Sequence, residues 1–175
     1  MRQTLETARL ILGGYSESDT ADLVSLIGAR EVAATTLRIP HPYREEHARE
    51  FLSGARENEH GFAIRLRANG RLIGGIALSP DLNRRRAELG YWIGVPFWGN
   101  GYATEAAREV VRYGFEHIQL NRIFASHFEG NEASRRVLEK IGMRHEGRAR
   151  EAAFRWGRFF DLERYAILRD EFHRG

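Results

Sequence analysis

The chain contains no cysteine. That excludes disulfides, a cysteine nucleophile and thiolate metal sites together. Lysine is nearly missing as well: Lys140 is the only one among 27 basic side chains. This bias reads as genome composition or heat adaptation rather than function. The seven histidines show no His-Glu-x-x-His or other ligand spacing, so no metal is expected. No Gly-x-Ser-x-Gly occurs, which removes support for a serine hydrolase. No N-terminal apolar region is present, and no run approaches the roughly 18 apolar residues of a membrane span. A soluble cytoplasmic protein without a membrane partner is the expectation. The formal net charge is only +3, and Arg84-Arg85-Arg86 is the one compact basic run, so no nucleic-acid partner is expected either. Repeats, linkers and low-complexity segments are absent. With 175 residues, 42% of them hydrophobic, a single domain over residues 1–175 is the natural organisation.

What is present is organised around residues 88–118. Glu88-Leu89-Gly90-Tyr91-Trp92-Ile93-Gly94-Val95 is β-branched and aromatic, as strands are. Pro96-Phe97-Trp98-Gly99-Asn100-Gly101 is a glycine-punctuated turn. From Tyr102 onward, Ala103, Ala106, Ala107, Val110, Val111, Gly114 and Ile118 recur at helical spacing. Strand, glycine turn and helix aim unpaired backbone N–H groups and a positive dipole end at one point. Such a point accepts phosphate or pyrophosphate. Gly-x-Gly alone is weak evidence. No Gly-Lys-Ser/Thr follows, so this is not a P-loop. A dinucleotide turn would place Gly or Ala where Thr104 stands, which leaves a degenerate Rossmann turn as a weaker alternative.

The remaining elements read in order. Leu10-Ile11-Leu12 is a short strand. Ser16 or Ser18 caps a helix over residues 19–27 that buries Ala21, Val24, Leu26 and Ile27. A short helix spans 30–35. Pro40 and Pro42 hold residues 39–43 extended. A helix over 45–58 aligns Ala48, Phe51, Leu52 and Ala55. Residues 62–67 alternate as a half-buried strand. Asn69-Gly70 marks a type I′ turn, and 72–78, apolar on both faces, is a central strand. A strand at 122–127, a helix at 132–141 closed by Gly142, and two long strands at 143–154 and 158–168 complete the chain. The three tryptophans, Trp92, Trp98 and Trp156, read as core or turn-packing residues.

Three ordered motifs carry a resemblance. They are Glu88-Leu89-Gly90-Tyr91-Trp92-Ile93, Trp98-Gly99-Asn100-Gly101-Tyr102-Ala103-Thr104-Glu105-Ala106, and Asn131-Glu132-Ala133-Ser134-Arg135-Arg136-Val137-Leu138-Glu139-Lys140-Ile141-Gly142-Met143. Together they resemble the GNAT superfamily, and more closely its RimJ/RimL-like branch of N-acetyltransferases. The resemblance implies an α/β (α+β) GNAT fold, with a mixed, largely antiparallel sheet of about seven strands flanked by helices. It implies acetyl-CoA as co-substrate, no metal, and a homodimer. The implied acceptor is a primary amine, either a protein N-terminus or a small molecule.

Residue roles follow from that resemblance. Trp98, Gly99, Asn100, Gly101, Tyr102, Ala103 and Thr104 would hold the pyrophosphate. The strand at Glu88 would splay from the one at Arg122, and backbone groups near Ile93 and Val95 would pair with pantetheine amides. Glu88, a carboxylate in an apolar strand, is the general-base candidate, its pKa raised by burial. Its plainer reading is a structural ion pair with an arginine. Ser134 is the general acid for the departing thiolate, or else back-bonds within its helix. Asn131 meets the pantetheine, caps its helix, or does both. His41 and Tyr43 are acceptor contacts if their segment walls the cleft, and otherwise belong to a connector. A non-catalytic acyl-CoA-binding or regulatory module is the alternative from another functional class.

Overall fold

The computed structural model describes residues 3–54 and 60–172. Its strands are β1 (Leu5–Glu6), β2 (Leu10–Gly13), β3 (His60–Leu66), β4 (Leu72–Asp81), β5 (Arg86–Ile93), β6 (Arg122–Phe128), β7 (Arg144–Arg155) and β8 (Arg158–Leu168). Its helices are α1 (Thr20–Ile27), α2 (Arg30–Ala34), α3 (Glu45–Leu52), α4 (Tyr102–Glu116), α5 (Glu132–Lys140) and α6 (Arg169–Phe172). One sheet runs in the order β1-β2-β3-β4-β5-β6-β8-β7. Every neighbouring pair is antiparallel except β5–β6. That pair is parallel because α4 carries the chain back across the sheet, as a parallel connection requires. No helix among the described residues is long and apolar enough to cross a membrane.

The expected seven strands become eight. The addition is β1, two residues paired with Leu12 and Ile11, too short to show a periodicity. α4 covers one face with Ala106, Ala107, Val110 and Val111, all fully buried against β-strand residues such as Leu78 and Ile123. α1, α2 and α3 cover the other face, where Leu23, Ile27, Tyr43, Ala48, Ala63 and Leu72 are buried. In α1 it is Leu23 that is fully buried, while Ala21 is exposed. The helix enters one residue later than its spacing suggests, through a 3-10 turn over Glu17–Asp19.

β3 is not half-buried. Phe62 and Ile64 face α4, and Ala63 is sealed by the other layer. Arg65, a polar position, reaches Asp19 there. Two guanidinium hydrogen bonds of 2.8 and 2.7 Å neutralise a carboxylate that is only 3% exposed, as a buried charge requires.

The turn chemistry also differs. Gly70 has a positive φ of 72° but Asn69 does not, so this is not a type I′ turn. A register shift at Ile64/Arg65 leaves a longer loop closed by Leu66 N–H to the Arg71 carbonyl at 3.0 Å. The two-residue hairpin with both central residues left-handed is Trp156-Gly157, at φ 49° and 77°. The chain bends at the cis His41–Pro42 bond rather than running extended. α3 ends at Leu52, and Ala55, expected on its apolar face, lies outside the described residues. α5 closes as expected: Gly142 N–H donates to Glu139 and Met143 N–H to Leu138, both at 3.0 Å.

Candidate acetyl-transfer site

β5 and β6 pair at only three positions, Arg86–Arg122, Ala87–Ile123 and Glu88–Phe124. Beyond them β5 stays with β4 to Ile93, while β6 stays with β8 to Phe128. A wedge-shaped gap opens through the sheet. Gly94 N–H donates to Ile73 O at 2.9 Å. By strand alternation the backbone groups of Leu89, Tyr91 and Ile93 therefore face the gap. The Ile93 carbonyl already accepts from the Trp98 indole N–H at 2.7 Å, and the Val95 carbonyl from Trp98 N–H at 3.1 Å. Leu89 and Tyr91 are left as the free edge, a row the sequence did not single out.

The glycine turn sits at the wide end of this gap. Gly99 and Gly101 adopt φ of 78° and 79°, a conformation that favours glycine. The Asn100 side chain braces the turn by donating to Phe97 O at 3.1 Å and Trp98 O at 3.0 Å. Arg9 braces it from outside by donating to Asn100 O at 3.0 Å. The amide N–H groups of residues 99–104 find no acceptor among the described residues. Gly99, Asn100, Gly101, Tyr102, Ala103 and Thr104 thus form one anion-ready crest at the positive end of α4, while the Trp98 N–H is already taken by Val95 O. Glu105, next on the helix, faces away. Burial alone would raise its pKa, but hydrogen bonds from Thr7 Oγ1, Arg9 N–H and the Arg9 guanidinium hold it below the ordinary value.

The gap continues into a cleft of about 430 Å³, within the usual range for small-molecule sites. Glu88, Tyr91, His127 and Ser134 all line it, and so does Tyr43. His41 does not. It is exposed and packs edge-on to Trp156 at 5.9 Å, so of the two residues expected together at the cleft the structure brings only Tyr43 there.

Glu88 is not enclosed in apolar surroundings as its strand suggested. Its side chain is one-third exposed and accepts from Arg38 Nη2 at 2.7 Å. It shares a face with Gly90 and Trp92. Gly75, paired with Trp92 on that face, has no room for a methyl group. A Cβ there would collide with the Tyr15 hydroxyl and lie 2.5 Å from Trp92 Nε1. The Tyr15 hydroxyl and the Trp92 indole therefore lie side by side over Gly75 as one aromatic wall.

Ser134 does not back-bond within its helix. Its Oγ lies 2.7 Å from the Tyr91 hydroxyl, across the gap from α5 to β5. Asn131 Oδ1 accepts Ser134 N–H at 3.1 Å and so caps α5. Burial pushes the Tyr91 phenol up to about 12, against the lowering effect of the Ser134 hydrogen bond. Tyr91 therefore stays protonated at neutral pH, and the pair always holds two hydroxyl protons. Tyr91 escaped the sequence reading as a functional residue. Its inward position in an alternating strand was the available signal.

Comparison with known proteins agrees with this geometry. The Acetyltransferase (GNAT) domain family matches residues 9–144. A Bacillus subtilis (strain 168) protein named "Putative ribosomal N-acetyltransferase YdaF" is 41% identical over 113 residues, 64% of this chain and 62% of its own length. The chain thus spans under two-thirds of that relative. YnaD of the same organism, an uncharacterised N-acetyltransferase, is 33% identical over 75% of this chain and 78% of its own length. The crystal structure of a GNAT-family acetyltransferase from Bacillus anthracis superposes with a TM-score of 0.88 at 27% identity, covering 97% of this chain and 100% of the other. A split β5–β6 pair, a glycine crest at a helix start and a family match across both lead to one assignment: this chain belongs to the GNAT acetyltransferase family.

Proposed function

We propose that the protein transfers an acetyl group from acetyl-CoA to a primary amine by direct attack, without a covalent enzyme intermediate. The carrying observation is the alignment of the open β5–β6 gap with the unpaired N–H groups of residues 99–104. The crest would bind the pyrophosphate. The free backbone edge at Leu89 and Tyr91 would pair with the pantetheine amides as an added strand. Ile93 and Val95 would contribute through whatever capacity Trp98 leaves. A backbone N–H on this edge would polarise the thioester carbonyl.

Acceptor and donor would meet through the sheet. The amine enters from the α1–α3 face, between Tyr43 and the Tyr15–Trp92 wall. Glu88 takes a proton from the incoming ammonium once the acceptor displaces Arg38. Ser134, with Tyr91 behind it, donates a hydrogen bond to the departing sulfur. Asn131 fixes the start of α5 so that Ser134 faces the gap. The acceptor class extends from protein N-termini, as the name of the 41%-identical relative suggests, to small-molecule amines. A cytoplasmic homodimer completes the reading.

The Arg38–Glu88 ion pair favours a second reading, a non-catalytic acyl-CoA-binding module, because a base held by arginine is not free. Calorimetry of acetyl-CoA binding to wild type and Gly101→Trp, followed by an amine panel, separates the two. Binding lost in Gly101→Trp, with wild-type turnover of at least one amine, supports acetyl transfer. Binding without turnover supports the module. Binding undisturbed by Gly101→Trp rejects the crest as the pyrophosphate site.

A further inference from the structure

The cleft contains a buried group that no step above uses. His127, on β6 beyond the last β5–β6 pair, is only 5% exposed. Ile123 and Ala125, its neighbours on the same face of β6, are buried and apolar. Its ring stacks on Tyr165 with centroids 5.4 Å apart and planes 30° from parallel. Nδ1 lies 2.8 Å from the Phe128 carbonyl oxygen. A carbonyl can only accept, so in the neutral ring the proton sits on Nδ1 and Nε2 carries a lone pair. Nε2 is buried and has no hydrogen-bond partner among the described residues. Leaving a buried acceptor unmet is costly, and a group kept at that cost calls for a reason. The ring lines the same cleft as Tyr91 and Ser134. The tautomer is thus fixed from behind, and the free nitrogen is a base.

We propose that His127 Nε2 is the proton carrier of the transfer itself, taking a proton from the attacking nitrogen and returning it to the departing sulfur. The proposal rests on the acetyl-transfer reading of this cleft. The neutral amine attacks the thioester carbon, a C–N bond forms, and the carbonyl π pair moves to oxygen. The nitrogen now bears one proton too many, and the Nε2 lone pair removes it to give imidazolium. The oxyanion re-forms its double bond, the C–S bond breaks, and sulfur leaves with the electron pair. Nε2–H then protonates the thiolate, which restores the neutral ring with amide and free CoA as products. One nitrogen serves both ends because the nucleophile and the leaving group share one carbon. Glu88 keeps an earlier and separate task, stripping the incoming ammonium.

The test combines spectroscopy with turnover. Long-range ¹H–¹⁵N spectra of histidine-labelled protein, assigned by loss of a signal in His127→Gln, read the tautomer and its response to added CoA. A neutral Nδ1–H ring whose Nε2 resonance moves on CoA binding is expected. Steady-state rates use acetyl-CoA with an alanyl peptide, a seryl peptide, spermidine and an aminoglycoside. On whichever amine the wild type uses, His127→Gln lowers kcat roughly 100-fold with KM for acetyl-CoA within threefold, and imidazole partly restores His127→Ala. An Nε2–H tautomer, a resonance blind to CoA, or unchanged kcat in a folded variant overturns the proposal. A kcat loss that tracks the melting temperature and resists imidazole makes His127 structural and overturns it too. If the wild type acetylates none of these amines, the acetyl-transfer reading fails on its own. The spectra still decide whether Nε2 meets CoA.

Discussion

Two hydroxyls 2.7 Å apart, Tyr91 and Ser134, line the cleft together. Because burial raises the Tyr91 phenol to about 12, its ionisation contributes nothing to a rate profile below about pH 11. Tyr91→Phe should lower kcat about tenfold, the low end for a group supporting acid catalysis. Ser134→Ala should do the same. The double variant should cost little more than either alone, since the two act as one unit, which a double-mutant cycle of kcat measures. A second residue-scale prediction concerns Glu105. Its folded pKa is depressed, so its contribution to stability is present above the unfolded value near 4.3 and disappears as pH falls through the lower folded value. Glu105→Gln should cost about 1–2 kcal/mol at pH 7. In urea melts the gap between wild type and variant should close below about pH 4.

At the scale of elements, the cleft wall formed by Leu37, Arg38 and Ile39 is tied down by one arginine. Arg155, at the end of β7, donates to Leu37 O at 3.0 Å and Ile39 O at 2.7 Å. Burial lowers its pKa, and its guanidinium lies over the Trp156 ring at 4.9 Å. It ties down the segment that carries Arg38. Arg155→Ala should raise KM for the amine several-fold and leave KM for acetyl-CoA unchanged, a split that steady-state kinetics with each substrate varied will show.

This clasp also marks what the sequence could and could not reveal. The β5–turn–α4 unit was legible because its signals are local: strand composition, two glycines and a helical apolar stripe lie within some thirty consecutive residues. Ser134 and Glu88 were legible as candidates through the motifs of the family. Their partners were not. Tyr91–Ser134 joins residues 43 apart, Arg38–Glu88 residues 50 apart, and Arg155 reaches 116 and 118 residues back. A side-chain pair across the fold leaves no period in the chain. Asn69-Gly70 misled for a related reason: the turn type follows from strand register, and a bulge at Ile73 in β4 shifted it. Trp156-Gly157 could form the tight turn because Arg155 and Arg158 pair directly across it.

For the whole molecule, the exposed apolar surface concentrates at one end. Phe154, Phe159 and Trp156 are 65%, 60% and 47% exposed at the tip of the β7–β8 hairpin, with the two phenylalanine rings 4.9 Å apart. Solvated aromatics in contact mark association surfaces. If the protein is a homodimer through this hairpin, Phe154→Glu should shift it to monomer in sedimentation velocity without changing its melting temperature at low concentration. A sedimentation coefficient unaffected by the substitution would place any dimer contact elsewhere.

The three-pair seam between β5 and β6 has a consequence for the resting protein. Five strands on one side and three on the other share little backbone bonding along the sheet, so a pantetheine arm bound there as proposed would be structural mortar as well as cargo. A loaded molecule would then be more fully bonded than an empty one. At 100 times its dissociation constant, CoA adds about 2.7 kcal/mol of stability, and amide exchange should slow most at Leu89 and Tyr91. Product release would then have to unzip those same bonds, so the grip that aligns the thioester would also set how soon the next turnover begins.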